Sequence, residues 1–343
     1  MGSVAVLGAG SWGTALSIVL ADNGHDVRLW SHRQEQVDEI NQLHKNKRYV
    51  DADLPETIRA FSNLGSAIEE VEAIILVVPS NAMREVTAQL QKRITSNVTI
   101  IHASKGIEPE TFKRISQIIN EEIPQYPYEN IVTLSGPSHA EEVVLRHPTT
   151  VTVAAQNIEK AKFAQNLFIN EFFRVYTSTD VIGVELGGAL KNIIALGTGI
   201  SDGLGFGDNA KAALITRGLA EITRLGTKLG ANPLTFLGLC GVGDLIVTST
   251  SVHSRNWRAG NLLGKGKAID EILDHMGMVV EGVRTTKAAY QLGKKEQVDM
   301  PITNGLYEIL FHDKDPKLVV EQLMNRDKKE EIDNYTWSKD EDK

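Results

Sequence analysis

At 343 residues the chain is long enough for two domains with separate cores, and its composition, 42% hydrophobic and 23% charged, fits an ordinary globular protein. A net charge of −8 excludes the basic stripe that a nucleic-acid partner needs. The lone Cys240 excludes an internal disulfide and fits a reducing, cytoplasmic setting.

Residues Ser3 to Gly13, SVAVLGAGSWG, predict a β-strand that runs directly into a glycine turn. Gly8, Gly10 and Gly13 have G-x-G-x-x-G spacing, and TALSIVLADNG follows with helical periodicity. Strand, turn and helix in that order let backbone amides meet a pyrophosphate, with no side chain at Gly10 to obstruct it. Charged and polar residues interrupt the chain soon afterwards, so no signal peptide is expected. The second strand, DVRLW, is followed by Ser31, His32 and Arg33, with no carboxylate before Glu35. A carboxylate there would bond the ribose 2′-hydroxyl of NAD. Arg33, with His32 beside it, favours NADP tolerance with NAD still usable; the alternative is a solvated loop.

Strands are predicted at 3–7, 26–30, 73–78, 98–103, 131–135, 149–155 and 173–177. Helices are predicted at 11–23, 34–42, 81–93, 110–122, 138–145 and 158–169. Such alternation predicts an α/β, Rossmann-like domain over residues 1–180, with a largely parallel sheet that binds ligands at its carboxyl edge. Strand signals largely stop near Thr179. An all-α domain is expected over 181–325, followed by a charged, disordered tail over 326–343.

The first helix of that second domain, VELGGALKNIIALGTGISDG, sets Lys191 among Gly187, Gly188 and Ala195 on one face. Mid-helix glycine costs about 1 kcal/mol against alanine, so something must approach closely. Either the stripe lines a cavity where Lys191 meets a small substrate, or it packs against another helix while Lys191 snorkels to solvent. Lys191 and the glycines also argue against a membrane span. Lys105, just beyond strand 98–103, and Asp244, in a glycine-rich turn, are candidates to converge on Lys191. Ser254 is a candidate N-cap that leaves amides facing an anion, beside the forked donor Arg255. The cluster Gly203 to Gly207 follows a helix and reads as a hinge. Nine scattered histidines show no ligand spacing, so no metal is expected.

Together these segments closely resemble the bacterial NAD(P)-dependent glycerol-3-phosphate dehydrogenases. The carriers are GAGSWGTAL, ASKGIE at 103–108, SGPSHAEE at 135–142 and GVELGGALKNIIALGTGISDGLGFGDNAKAALITRGLAE at 183–221. GVGDLIVT at 241–248, SRN at 254–256 and VVEGVRTTK at 279–287 complete the set. The resemblance implies interconversion of dihydroxyacetone phosphate and sn-glycerol 3-phosphate for phospholipid synthesis, with NADP(H) or NAD(H) and no metal. It implies Lys191 as the proton donor and acceptor. Substrate contacts then fall on Lys105, Gly136, Ser138, Lys191, Asp244, Ser254, Arg255 and Asn256. Besides the glycine turn, cofactor contacts fall on Ser11, Trp12, His32, Arg33, Lys105, Ala140, Arg255, Val279 and Glu281. Trp12 replaces the smaller aromatic of many relatives. A homodimer is common among enzymes of this kind, and the oligomeric state stays open. The rivals are a two-domain dehydrogenase acting on an unphosphorylated hydroxy or keto acid, and a catalytically idle redox sensor. An anion site at SRN disfavours the first; the retained Lys105, Lys191, Asp244 and Arg255 disfavour the second.

Overall fold

In the computed structural model, which describes residues 2–94, 98–276, 279–328 and 330–331, the first half of the chain folds into an eight-stranded sheet. Its strands are β1 (Ser3–Leu7), β2 (Asp26–Trp30), β3 (Ile58–Phe61), β4 (Ala73–Leu76), β5 (Thr99–His102), β6 (Val132–Ser135), β7 (Thr149–Ala154) and β8 (Phe173–Ser178). They lie in the order β3-β2-β1-β4-β5-β6-β7-β8, and every neighbouring pair is parallel except β6 with β7. The helices between them are α1 (Ser11–Asp22), α2 (Gln34–Leu43), α3 (Leu64–Ala67), α4 (Met83–Leu90), α5 (Ile115–Glu122), α6 (Ala140–Val143) and α7 (Ile158–Phe168). Strands covered on both faces need no polar alternation. In β1, Val4 and Val6 enter one apolar cluster while Ala5 and Leu7 enter the other.

The apolar pattern predicts nothing between residues 43 and 72, yet β3 and α3 form there. β3 is a four-residue edge strand with Arg59 exposed, too short and too polar to show a period. The helix predicted from residue 110 begins only at Ile115, because Glu110 and Phe112 take left-handed φ values of 72° and 59°.

The second half is helical: α8 (Val181–Gly203), α9 (Asp208–Lys228), α10 (Asp244–Thr250), α11 (Arg255–Gly264), α12 (Ile269–Met276), α13 (Glu281–Glu296), α14 (Pro301–Phe311) and α15 (Pro316–Met324). Of the 23 residues of α8, 20 are buried, so this helix is the axis around which the others pack. It is the one helix among the described residues long and apolar enough to cross a membrane, and 94% of its apolar window is buried in the fold. Its glycines serve packing. A Cβ at Gly199 would overlap the Trp257 carbonyl, and one at Gly260 would overlap that of Leu196, so α8 and α11 cross backbone to backbone. Gly187 likewise abuts the carbonyl of Cys240. Gly187 and Gly199 of the small-residue stripe are thus filled by neighbouring backbone, whereas Gly188 faces the side chains of Ser135 and Lys105. Cys240 is 1% exposed, and burial pushes its thiol up to about 12.

The glycine-rich turn predicted around Asp244 is helical. A single π turn at Leu239–Gly243 leads without a break into α10, with Asp244 as its first residue. Of the charged tail, residues 332–343 lie outside the described residues; Arg326, at its start, pairs with Asp299 at 2.9 Å.

Candidate active site

The turn after β1 is shaped by three glycines with three different reasons. Gly8 has φ +121°, and a Cβ there would stand 2.8 Å from the Val77 carbonyl oxygen. A Cβ at Gly13 would overlap the carbonyl of Gly8 itself. At Gly10 a Cβ would meet nothing within 4 Å, and Gly10 caps α1 without a side-chain hydrogen bond. The amides of the first turn of α1 therefore face an open cradle, which fits a pyrophosphate. Ser11 donates its hydroxyl to the Tyr49 carbonyl at 3.1 Å, and the buried indole nitrogen of Trp12 has no protein partner.

At the end of β2, Arg33 is held rather than merely solvated. It donates to Gln36 Oε1 at 3.0 Å and to the Tyr49 hydroxyl at 2.7 Å, and its Nε is buried without a protein partner. Gln36 is in turn fixed by Ser31 and by the carbonyl of Ala9 in the glycine turn. His32 is exposed, its ring 6.5 Å from that of Trp30. Ser31 stands at the strand end with a guanidinium two residues on, and no carboxylate lies there to accept from a ribose hydroxyl.

At the carboxyl edge of β5 and β6 the charged groups gather. Lys105 donates to Asp244 Oδ2 at 2.6 Å and to the Gly136 carbonyl at 3.2 Å. Ser138 donates to the same carbonyl at 3.0 Å, and Gly136 has φ +139°. From the helical half, Lys191 pairs with Asp244 Oδ1 and donates to Thr248 Oγ1 at 2.6 Å. One carboxylate, 1% exposed, thus joins two ammonium groups from the two halves of the chain. Lys191 is 6% exposed and does not snorkel. Burial, assisted by the neighbouring Lys105 charge and opposed by Asp244, lowers its pKa to about 7. Burial would raise Asp244, but the two ammonium groups overrule it and hold the carboxyl below its ordinary value.

A third group lies at the start of α11. Ser254 caps the helix, accepting from Trp257 N at 3.2 Å. Arg255 is exposed, with one guanidinium nitrogen 3.4 Å from the Val279 carbonyl. Asn256 is buried, donating to Asn192 Oδ1 at 2.9 Å and accepting from Gly282 N at 2.8 Å. Asn192 is the residue after Lys191, so the α11 start is tied to the lysine's neighbour on α8. Glu281, first in α13, accepts from the Ser80 amide at 3.3 Å and hydroxyl at 2.9 Å, which joins the helical half to the sheet edge. Ala140 opens α6 two residues beyond Ser138. Among the described residues no three His, Cys, Asp or Glu side chains gather as metal ligands would.

Thr248, Asn192, Gln36 and Tyr49 were not foreseen. Thr248 was recoverable: it stands four residues after Asp244, on the same face once α10 is recognised as a helix. The other three carry no signal beyond being polar.

These features define the class: a two-domain dehydrogenase that works with a pyridine dinucleotide. Residues 3–161 match the family model described as NAD-dependent glycerol-3-phosphate dehydrogenase N-terminus, and residues 180–321 match the corresponding C-terminus model. The chain belongs to that family. A glycerol-3-phosphate dehydrogenase [NAD(P)+] from Oceanobacillus iheyensis is 67% identical over 334 residues, 97% of each chain. One of the same name from Bacillus cytotoxicus is 63% identical, over 97% of this chain and 98% of its own. The crystal structure of glycerol-3-phosphate dehydrogenase from Coxiella burnetii superposes with a TM-score of 0.90 at 41% identity, covering 95% of this chain and 99% of that one. A ketopantoate reductase from Ralstonia eutropha, 14% identical with a TM-score of 0.59 over 94% of this chain and 99% of its own, shares the fold alone.

Proposed function

We propose that this chain reversibly reduces dihydroxyacetone phosphate to sn-glycerol 3-phosphate with NADPH or NADH, and that Lys191 is its proton donor and acceptor. The observation that carries the reading is the Lys191–Asp244–Lys105 cluster, set between a dinucleotide turn and a capped, anion-facing helix start. In this reading residues 1–180 hold the dinucleotide and residues 181–325 supply the substrate side. The cofactor, when bound, supplies the hydride that reaches the carbonyl carbon of the substrate. Lys191 holds a proton at Nζ and passes it to the carbonyl oxygen as negative charge builds there; in the reverse direction the neutral amine takes it back. A free lysine, with a pKa of about 10.4, is a poor base at neutral pH; burial brings Lys191 into range. Asp244 orients both ammonium groups, Thr248 fixes Lys191, and Lys105 adds charge to the oxyanion side. Gly136 and Ser138 shape the wall beside Lys105. Ser254, Arg255 and Asn256 hold the phosphate, which anchors the ketone for transfer. Ser11, Trp12, Ala140, Val279 and Glu281 border the dinucleotide, and Arg33 with His32 meets a 2′-phosphate.

A cytoplasmic enzyme feeding phospholipid synthesis, working as a homodimer, completes the proposal. The direct test follows NADPH absorbance on adding dihydroxyacetone phosphate, with unphosphorylated dihydroxyacetone alongside. Oxidation with the phosphorylated ketone alone supports both the reaction and the anion site; oxidation with neither, despite tight NADPH binding, refutes the reading.

A further inference from the structure

Behind the lysines lies a second buried cluster that the proposed chemistry does not use. Glu185 is on α8, six residues before Lys191, which places it on a different face of the helix. Its Oε1 accepts from the Ser116 amide at 2.7 Å, and its Oε2 accepts from the Ser116 hydroxyl at 2.7 Å and from Arg114. His102 Nε2 lies 3.1 Å from Oε1. Arg114 also donates to the Tyr128 hydroxyl at 3.2 Å, closing the cluster. The Glu185 side chain is 3% exposed and that of His102 is 1% exposed. Burial works against the charged carboxylate, but His102, Arg114 and Ser116 together hold it at about 2.

The placement of this cluster has a geometric meaning. His102 ends β5, and Lys105 follows three residues later; Glu185 and Lys191 share α8. Lys191 is therefore joined to Glu185 through α8, and Lys105 to His102 through the three residues that follow β5, so both lead to the same buried contact. Asp244 closes the triangle at the other end, reaching Lys105 and Lys191 with its two oxygens. From this we propose that Glu185 is a positioning residue: by clamping α8 to β5 and to the start of α5, it sets the separation of Lys105 and Lys191 across Asp244. A stabilising role alone would need no such register. Burying a carboxylate beside an arginine is seldom the most stable choice for a core, whereas a proton-transferring lysine tolerates little displacement.

The proposal rests on Lys191 being the proton-transfer group, so Lys191→Ala is measured alongside. In Glu185→Gln, kcat per NADPH-binding site is expected to fall by about 10- to 100-fold, the loss that follows a misplacement near 1 Å. The NADPH Kd and the KM for dihydroxyacetone phosphate should stay within about threefold. The midpoint of the kcat–pH profile should move, because the Lys191 environment includes Lys105 and Asp244. Ser116→Ala, which removes one donor and keeps every charge, should show a smaller loss in the same direction, and it decides the matter if Glu185→Gln does not fold. Unchanged kcat per site with an unchanged pH midpoint in the variants that fold overturns the proposal. Full turnover in Lys191→Ala would instead overturn the reading of the site itself.

Discussion

The two ends of the candidate site are built from opposite materials. The dinucleotide turn works through backbone: its key positions are glycines, and its chemistry is exposed amides at the start of α1. The lysine–aspartate cluster works through charged side chains drawn from the segment after β5, from α8 and from α10, with Lys191 and Asp244 almost fully out of water. The first kind of site takes its shape from a local run of eleven residues, Ser3 to Gly13, with Val77, Tyr49 and Gln36 packed or bonded against it. The second exists only when segments more than fifty residues apart meet, and it depends on burial for its reactivity.

The sharpest way to separate the two is at Lys191. Lys191→Ala should lower kcat by about 10³-fold, within the usual contribution of a positioned acid or base, while NADPH binding measured by fluorescence is unchanged. Loss of cofactor affinity in step with turnover would merge the two ends into one. The pH dependence sharpens the same point. Glycerol 3-phosphate oxidation needs neutral Lys191, so its kcat should rise with pH through about 7; ketone reduction needs the ammonium and should fall through the same range. Asp244→Asn should cost about 10²-fold in kcat and move both midpoints to lower pH, since removing the carboxylate leaves burial and Lys105 to depress Lys191 unopposed. A midpoint that rises would show that Asp244 does not counterbalance the lysine.

At the other end, Gly10→Val should raise the cofactor KM by about 30-fold, near 2 kcal/mol, with Tm unchanged, because the space beside Gly10 is open to the protein. Gly13→Ala, which meets the Gly8 carbonyl, should instead lower stability by about 1–3 kcal/mol. Equal behaviour of the two variants in a melting experiment would contradict the cradle. The smallest effect is expected at Arg33. Arg33→Ala should reduce the NADPH to NADH preference in kcat/KM by about tenfold, the worth of one charge-assisted contact.

How much the sequence disclosed follows the same division. β1, the turn and α1 were legible because strand period, glycine spacing and helix period are all local. α8 was legible as a long apolar helix bearing one lysine, but not as a helix whose glycines meet other backbones; that needed α11 and the Cys240 carbonyl in place. Ser254 disclosed its capping role because an N-cap is a matter of adjacent residues. The glycines of GLCGVG signal a turn before Asp244 but not that the turn is helical, because Gly241 packs against the Phe236 backbone in a π turn that continues into α10. Arg33 was visible as a charge, but its restraint by Gln36 and Tyr49 was not, because those partners are set by the folding of residues 34–49.

Cys240 carries a practical consequence. A thiol 1% exposed and pushed up to about 12 offers almost no thiolate at neutral pH. The native protein should leave maleimides and iodoacetamide unreacted until it unfolds. It is therefore silent towards cysteine-directed dyes. Leu43→Cys and Met324→Cys, at positions 56% and 80% exposed in the two halves of the chain, would each take a label alone. A donor and acceptor pair placed there would report by energy transfer how far the halves move when substrate enters.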